Sequence, residues 1–323
     1  MDIKFAQENK TDAKEMRAAY CETLIEMAER NENVVVLDAD LMSAMGMKPF
    51  QAKFPERAVD CGVQEANMIG VAAGLSAVGK IPFAHSFAPF ITRRACDQIF
   101  ISAAYARLNV KLIGSDPGIT AALNGGTHMP FEDMGIMRLF PTMTALEPTD
   151  TAMLKDILNQ IVDLYGMFYL RFVRKNVIQI YEQGSHFSIG KAVQLRDGRD
   201  VTVIASGYCV SEALRAADDL RSQGISARVL DMFTWKPIDV EAVAAAAKET
   251  GALVTAENHN VIGGLGSAVA DALVETSPAP MEKVGVQDEF GEVGPVKYLA
   301  ERYGLTASHI AEAVKKVLKR KTR

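Results

Sequence analysis

Glu65 is the first residue of this chain whose type and position suggest chemistry. It lies in the first turn of a predicted helix, within the run Asp60-Cys-Gly-Val-Gln-Glu-Ala-Asn-Met-Ile-Gly70. The helix dipole stabilises a carboxylate there, and the apolar residues that follow favour a dry environment that alters its proton affinity. Taken alone, Glu65 is either a general acid–base group or a carboxylate that stabilises the start of a helix.

Two phenylalanines form a second candidate feature. Phe87 and Phe90 lie three residues apart, directly after a predicted strand at 80–86. Side chains at this spacing share one face of a helix, so the pair could form a platform for a flat ring. An ordinary pair of core residues is the alternative interpretation.

A long glycine-rich loop, residues 114–133, is the third feature. His128 lies in its middle and is one of five histidines in the chain. Asp116 and Asn124 lie in the same loop. Because long loops between elements often carry function, the segment predicts a polar site on a loop.

The elements that must position these segments alternate between apolar strands and helix-period segments. Continuous apolar strands between helices predict parallel sheets that are covered on both faces, with ligands bound beyond the carboxyl ends of the strands. A polar stretch at 181–199 predicts a linker. The fold class is therefore α/β, with two doubly wound domains at 1–185 and 186–323, the second one smaller. The expected strands are 33–40, 80–86, 110–115, 142–148 and 168–173, then 201–206, 227–231, 252–257 and 282–287.

Composition excludes several classes of protein. The 323 residues are 49% hydrophobic and 23% charged, as in an ordinary globular protein. A net charge of −5, with a basic run confined to 315–323, argues against nucleic-acid binding. No apolar run reaches the roughly 18 residues needed to cross a membrane, and the four cysteines lack metal-knuckle or C-x-x-C spacing. We expect a cytoplasmic protein with reduced thiols and with neither a nucleic acid nor a membrane as partner.

The order of the motifs is more specific than any one of them. The patterns D-x-G-x-x-E-x-x-x-x-G-x-A-x-G-L, F-A-x-F-x-x-x-R-A-x-x-Q-I and G-x-T-H-x-x-x-E-D-x-x-x-x-R follow one another. They resemble the pyrimidine-binding domain of the transketolase family of thiamine-diphosphate enzymes. The run from Ala256 to Val269 resembles that family's C-terminal domain. The resemblance covers about residues 12–318.

This resemblance implies roles for individual residues. Glu65 would hydrogen-bond a nitrogen of the cofactor's pyrimidine ring and shift its tautomer, and Phe87, Phe90 and Leu41 would contact the cofactor. His128 would donate a hydrogen bond to the reacting oxygen of the substrate. The substrate-binding residues implied are Asp116, Asn124, His128 and Arg174.

Three positions depart from the pattern usual for phosphorylated sugars. Ala44 replaces a serine, Asp116 replaces a histidine and Asn124 replaces an aspartate, whereas the arginine expected to hold a substrate anion is present as Arg174. The departures surround the substrate and leave the cofactor residues intact. They predict the family reaction on an unusual sugar.

The family's metal-and-diphosphate element, a G-D-G followed by N some 25–30 residues later, is absent from these 323 residues. The chain therefore resembles the C-terminal subunit of a split transketolase. We expect a separate N-terminal subunit to hold Mg²⁺ and the diphosphate, with no metal ligand in this chain. We also expect an α2β2 heterotetramer that acts on small sugars. This chain alone should have little activity.

Other functions remain open at this point. A beta subunit of a 2-oxo-acid dehydrogenase has the same two domains, although its loop before the histidine normally differs; decarboxylation of a 2-oxo acid would identify it. A deoxyxylulose-phosphate-synthase-like enzyme and a subunit that serves only assembly are further alternatives. Glu257 and His259 suit either a site or an interface, and the sequence favours an interface.

Overall fold

The computed structural model describes residues 2–8 and 10–321, which form two α/β domains. The strands are β1 (Val34–Asp38), β2 (Ala58–Asp60), β3 (Ile81–Phe87), β4 (Lys111–Ser115), β5 (Thr144–Leu146), β6 (Phe168–Phe172), β7 (Val193–Arg196), β8 (Val201–Ala205), β9 (Ala227–Asp231), β10 (Thr234–Lys236), β11 (Leu253–Asn260) and β12 (Met281–Val286). The α-helices are α1 (Met16–Arg30), α2 (Lys48–Lys53), α3 (Glu65–Ala77), α4 (Ala88–Arg93), α5 (Cys96–Gln98), α6 (Asp133–Leu139), α7 (Thr151–Asp163), α8 (Tyr208–Ser222), α9 (Val240–Thr250), α10 (Leu265–Thr276), α11 (Val296–Arg302) and α12 (Ala307–Leu318).

The first sheet has seven strands in the order β10-β5-β6-β4-β3-β1-β2. Its strands are parallel except for β10, which pairs antiparallel with β5 although it comes from the second half of the chain. The residues of β1, Val-Val-Val-Leu-Asp, are all buried. A strand buried on both faces must be almost wholly apolar, which is why this run could be read from the sequence.

The second sheet has five strands in the order β12-β11-β8-β9-β7. It is parallel except at its edge, where β7 pairs antiparallel with β9. The segment predicted as a linker, 181–199, contains β7, so that prediction was wrong for residues 193–196. The strand was missed because only Val193 of its four residues is buried, so its polar positions resemble those of a loop.

Pairing within the first sheet sets the position of the candidate site. In β1 and β3, Asp38 is opposite His85, and in β3 and β4, Phe87 is opposite Ser115. The carboxyl ends of three neighbouring strands therefore meet at one edge, and the loops that follow them lie together.

Helix α7 illustrates how the sheets are covered. Its N-cap Asp150 accepts a hydrogen bond from the Met153 backbone N–H at 3.0 Å, which satisfies one of the free donors at a helix start. Its buried face includes Leu154, Ile157 and Leu158. Within the described residues, no helix is both long and apolar enough to cross a membrane.

Candidate active site

Glu65 lies where β1, β3 and β4 end. It is the first residue of α3, and only 4% of it is exposed. Asp60, the last residue of β2, accepts hydrogen bonds from the backbone N–H groups of Asp40 (3.0 Å) and Gly62 (2.9 Å). These bonds join the loop after β1 to the loop before α3 and fix the start of the helix that carries Glu65.

Phe87, Phe90 and His128 form one ring cluster. The two phenylalanine centroids lie 5.8 Å apart, and the imidazole centroid lies 5.8 Å from Phe87 and 4.9 Å from Phe90. Phe87 ends β3 and Phe90 lies in α4, whereas His128 ends a short 3-10 turn, Gly126–His128. The loop after β4 thus brings the predicted histidine to the predicted aromatic pair.

Arg94 links Glu65 to this ring cluster. Its Nη1 donates to Glu65 Oε1 at 3.0 Å, and its guanidinium carbon lies 3.9 Å from the Phe90 ring centroid. A cation over an aromatic face is attracted by the ring, and a buried carboxylate requires a counter-charge. The space between Glu65 and Phe90 therefore accommodates a flat, hydrogen-bonding group.

The electrostatic environment of His128 favours its neutral form. Partial burial lowers its pKa below the ordinary value, and the positive charges of Arg94 and Arg174 lower the pKa further. The Nδ1 atom lies 2.9 Å from Thr127 Oγ1. When that hydroxyl donates to Nδ1, the single proton of the neutral ring lies on Nε2, which can donate to a substrate oxygen.

A group of charges surrounds the Ala44 carbonyl. Arg17 Nη1 donates to this oxygen at 2.9 Å and Arg174 Nη1 donates at 3.3 Å. Arg174 also forms an ion pair with Asp116, and its guanidinium carbon lies 4.6 Å from the Phe87 ring centroid. Burial raises the pKa of Asp116, while the charge of Arg174 opposes this shift. Two guanidinium groups next to the ring cluster are suited to hold an anion.

Sequence reasoning missed Arg17. Its Nε donates to Glu15 Oε2 at 2.7 Å, and Lys175 Nζ lies 3.0 Å from Glu15 Oε1. In the sequence, Glu15 and Arg17 resemble an ordinary solvated pair at the start of a helix. The contact with Ala44, 27 residues away, is what places Arg17 beside Arg174.

Leu41 and Asn124 have less defined surroundings. Leu41 is half-buried after β1, and Asn124 is exposed at the end of the 3-10 turn Gly118–Asn124. Within residues 2–8 and 10–321, no side-chain hydrogen bond joins either residue to the ring cluster. Their roles in binding the cofactor and the substrate remain predictions.

A buried Asp38–His85 pair supports this edge of the sheet and was also missed. Asp38 Oδ2 lies 2.6 Å from His85 Nε2, and both side chains are fully buried. The other oxygen of Asp38 accepts a hydrogen bond from the Leu41 backbone N–H. The pair therefore fixes β1 against β3 and holds the start of the loop that carries Leu41.

Glu257 lies within the second domain and not at the ring cluster. Its carboxylate accepts hydrogen bonds from the backbone N–H groups of Leu265 (2.6 Å) and Gly266 (2.8 Å) at the start of α10, and burial raises its pKa to about 7. A Cβ at Gly264 would lie 2.0 Å from Glu257 Oε2. The glycines of this turn therefore allow a carboxylate to cap the helix.

His259 lies at the boundary between the two domains. Its Nδ1 donates to Asn260 O at 2.7 Å, and its Nε2 accepts from the Gly135 backbone N–H at 3.2 Å. Burial lowers the pKa of His259 to about 4. The neutral ring thus joins the second domain to α6 of the first.

Arg171 forms the centre of the same boundary. This fully buried side chain donates to Asp133 at 2.8 Å and lies 3.0 Å from Glu147. It also donates to the Asn258 carbonyl at 3.3 Å and lies 4.9 Å from the Trp235 ring centroid. A buried cation between two carboxylates is stable only while all its partners remain in place, so the two domains form one packed body.

Comparisons with known proteins give the family. Residues 12–179 match the transketolase pyrimidine-binding domain, and residues 190–310 match the transketolase C-terminal domain. The chain belongs to the transketolase family. Its sequence is 54% identical over 306 residues to the "6-deoxy-6-sulfo-D-fructose transketolase subunit SqwH" of Clostridium sp. (strain MSTE9), covering 95% of each chain.

Two further matches of this transketolase-family chain are described as a transketolase subunit and as a split-gene transketolase. A subunit of the apulose-4-phosphate transketolase of Phocaeicola vulgatus is 35% identical over 94% of this chain and 97% of that protein. A solved structure described as "Split gene transketolase, inactive beta4 tetramer" matches with a TM-score of 0.88 and 43% identity, over 96% of this chain and 100% of that one. The predicted resemblance to a split transketolase subunit is thereby confirmed.

Transketolase-family enzymes depend on thiamine diphosphate, and the residues at this site fit its pyrimidine half. The buried Glu65 carboxyl group and the Phe90 ring lie on either side of the planar Arg94 guanidinium, so a flat hydrogen-bonding group packs between them. Within the part of the chain that the structure describes, no cluster of three or more His, Cys, Asp or Glu side chains could hold a metal ion.

Proposed function

We propose that this chain is the pyrimidine-binding subunit of a two-chain transketolase that transfers a two-carbon ketol unit from a ketose to an aldose. One observation carries the proposal. Glu65 and the ring cluster of Phe87, Phe90 and His128 come from separate parts of the chain, and all lie at one edge of the first sheet.

The side chains have distinct tasks in this reaction. Bound thiamine diphosphate supplies an electron sink for the two-carbon fragment. Glu65 would hold a proton shared with a pyrimidine nitrogen in place of its bond to Arg94, and Phe87 and Phe90 would contact the flat ring. Neutral His128 donates from Nε2 to the oxygen at which negative charge develops.

A separate subunit completes the site in this proposal. The G-D-G…N element of the family is absent from the 323 residues, so Mg²⁺ and the diphosphate are held by the partner. Two copies of each chain related by two-fold symmetry form an α2β2 assembly. The beta tetramer named for the 43%-identical structure is described as inactive, which supports a requirement for a second chain.

The charges beside Ala44 point to the substrate class. One connected group of charges lies there. It contains three cations, Arg17, Arg174 and Lys175, and two carboxylates, Glu15 and Asp116, so its net charge is +1. A sulfonate carries one negative charge, whereas a phosphate ester carries nearly two at neutral pH. Together with the substrate named for the 54%-identical relative, this favours a ketose donor that ends in a singly charged group such as a sulfonate.

Reconstitution tests the function directly. This chain and a candidate N-terminal subunit are assayed separately and together, with thiamine diphosphate and Mg²⁺, against sulfonated, phosphorylated and uncharged ketoses. We expect turnover only when both chains are present, with the sulfonated ketose consumed most efficiently. Decarboxylation of a 2-oxo acid without turnover of any ketose would instead identify a dehydrogenase subunit.

A further inference from the structure

The second domain holds the loop that carries His128 at both of its ends. We define the site loop as residues 116–132. Asn258, at the carboxyl end of β11, accepts a hydrogen bond from the Ile119 backbone N–H at 2.9 Å and donates to Pro117 O at 2.8 Å. At the other end of the site loop, the Asn260 backbone N–H donates to Phe131 O at 2.8 Å.

The contact between Asn258 and the site loop is unusually close. Asn258 is fully buried. Gly118 lies against it with φ +51°, and a Cβ at that position would lie 2.0 Å from Asn258 Oδ1. The Gly118 N–H also donates to Pro130 O at 3.1 Å, which closes the base of the site loop. A glycine is therefore required both by the backbone conformation and by the approach of the amide.

The middle of the site loop also rests on the second domain. A Cβ at Gly126 would lie 2.2 Å from Gly291 O, and one at Gly125 would lie 2.7 Å from the Val293 side chain. The backbone next to His128 is thus packed against the segment that follows β12. The side chains of Glu65, Phe87 and Phe90, by contrast, come from elements that Asn258 does not bond.

We propose that Asn258 is a positioning residue: the second domain fixes the site loop through this amide, and thereby sets where His128 and Asp116 stand relative to the cofactor residues. Only a side chain with one acceptor and one donor can satisfy both Ile119 N–H and Pro117 O in a dry place. Loss of the amide leaves both backbone groups unpaired, and the loop opens. The catalytic part of this inference rests on the proposed function. The clamp, by which we mean the two hydrogen bonds from Asn258 to the site loop, does not.

The first test uses hydrogen exchange in the folded chain alone. Asn258→Leu has a similar shape but forms neither bond. We expect amide exchange in residues 118–128 to accelerate about tenfold or more, which corresponds to a decrease of about 1.4 kcal/mol in the free energy of local opening. The exchange rates in β4 and β11 should stay unchanged. Asn159→Leu is the matched control because its side chain bonds Lys155 O and Arg30, away from the site loop, and it should leave exchange in 118–128 at the wild-type rate.

The second test measures kinetics in the reconstituted pair. Asn258→Leu should lower kcat by about tenfold or more, since a small misplacement of a reacting group is costly, while the affinity for thiamine diphosphate stays within about twofold because its residues lie on other elements. A merely structural defect would lower both together. Asn258→Asp, which has the same size and keeps the acceptor, replaces Asn258→Leu if the leucine variant is insoluble.

The outcomes separate the two ideas. Unchanged exchange in 118–128, or acceleration shared equally by β4 and β11, would overturn the clamp. Faster exchange with normal kcat would overturn its catalytic role. If the wild-type pair turns over no ketose, the proposed function fails, while the exchange measurement still decides whether Asn258 holds the loop.

Discussion

The guanidinium group of Arg94 lies between the carboxylate of Glu65 and the ring of Phe90. It donates to Glu65 Oε1 at 3.0 Å and stacks 3.9 Å from the Phe90 centroid. A charged carboxylate in this position is neutralised by the arginine, whereas the proposed chemistry requires it to share a proton with a pyrimidine nitrogen. In this proposal the cofactor displaces Arg94 when it binds, and the Arg94 side chain, which is 46% exposed, moves into solvent.

Replacing Arg94 by alanine should therefore tighten cofactor binding. In the variant, no ion pair has to be broken before the pyrimidine enters. We therefore expect the Kd for thiamine diphosphate in the reconstituted pair to fall several-fold, which corresponds to the interaction free energy of a half-exposed ion pair. Calorimetry measures it. Arg93→Ala is the matched control, since Arg93 pairs with Glu132 at 3.1 Å and not with Glu65. Weaker binding in Arg94→Ala would mean that the arginine helps to hold the cofactor.

Glu65→Gln should strongly reduce turnover without unfolding the chain. The amide keeps the size of the side chain and can still accept a hydrogen bond from Arg94, but it cannot share a carboxyl proton. We expect kcat to fall by about 10² to 10⁴, the usual contribution of a positioned acid–base group. Glu241→Gln is the control, because it changes an 87% exposed carboxylate in the first turn of α9. Activity close to wild type in Glu65→Gln would refute the proposed role.

Asp116→Asn should change the preference between anionic donors. The substitution removes one negative charge beside Arg174 while keeping the side-chain shape. A doubly charged phosphate ester gains more from this change than a sulfonate does, on the order of tenfold in relative kcat/KM. Competition between sulfonated and phosphorylated ketoses measures the ratio. Asp197→Asn, at an 83% exposed side chain of the second domain, should leave it unchanged; an unchanged ratio in Asp116→Asn would exclude charge selection by this residue.

His259 should make the stability of the chain depend on pH. Its pKa is about 4 in the folded chain, below the ordinary value of 6.5. Between these values the unfolded chain binds a proton that the folded chain does not, so stability falls as the pH decreases through this window, by at most about 1.4 kcal/mol per pH unit. The contribution is fully present above pH 6.5.

Urea unfolding of wild type and His259→Gln at pH 7.5 and pH 5 measures this effect. Glutamine can still accept the Gly135 N–H but does not titrate. The stability advantage of wild type over the variant should therefore shrink at pH 5. Buried carboxyls with raised pKa values, such as Asp231 at about 7, contribute to both proteins and cancel in the difference. An advantage of equal size at both pH values would contradict the buried, neutral state of His259.

The sequence predicts the parts of this site that depend on local pattern. Glu65, Phe87, Phe90 and His128 each lie in a motif at a strand or helix end, and parallel strands necessarily bring such ends to one edge. Arg17 and Asn258 could not be predicted in this way. Arg17 lies at what resembles an ordinary helix start, and the motif around Asn258 assigns no role to that residue. Their roles come from contacts with Ala44 and Ile119 across the fold.

Strand β10 limits how the two domains of this protein can be separated or exchanged. It follows β9 of the second sheet, yet its three residues, Thr234–Lys236, close the edge of the first sheet against β5. A first domain separated from the second would expose β5 as an open edge, a template for aggregation. Exchanging the second half for that of a distant relative would succeed only where the donor supplies an equivalent strand. The first sheet therefore depends on the second half of the chain for one of its edges.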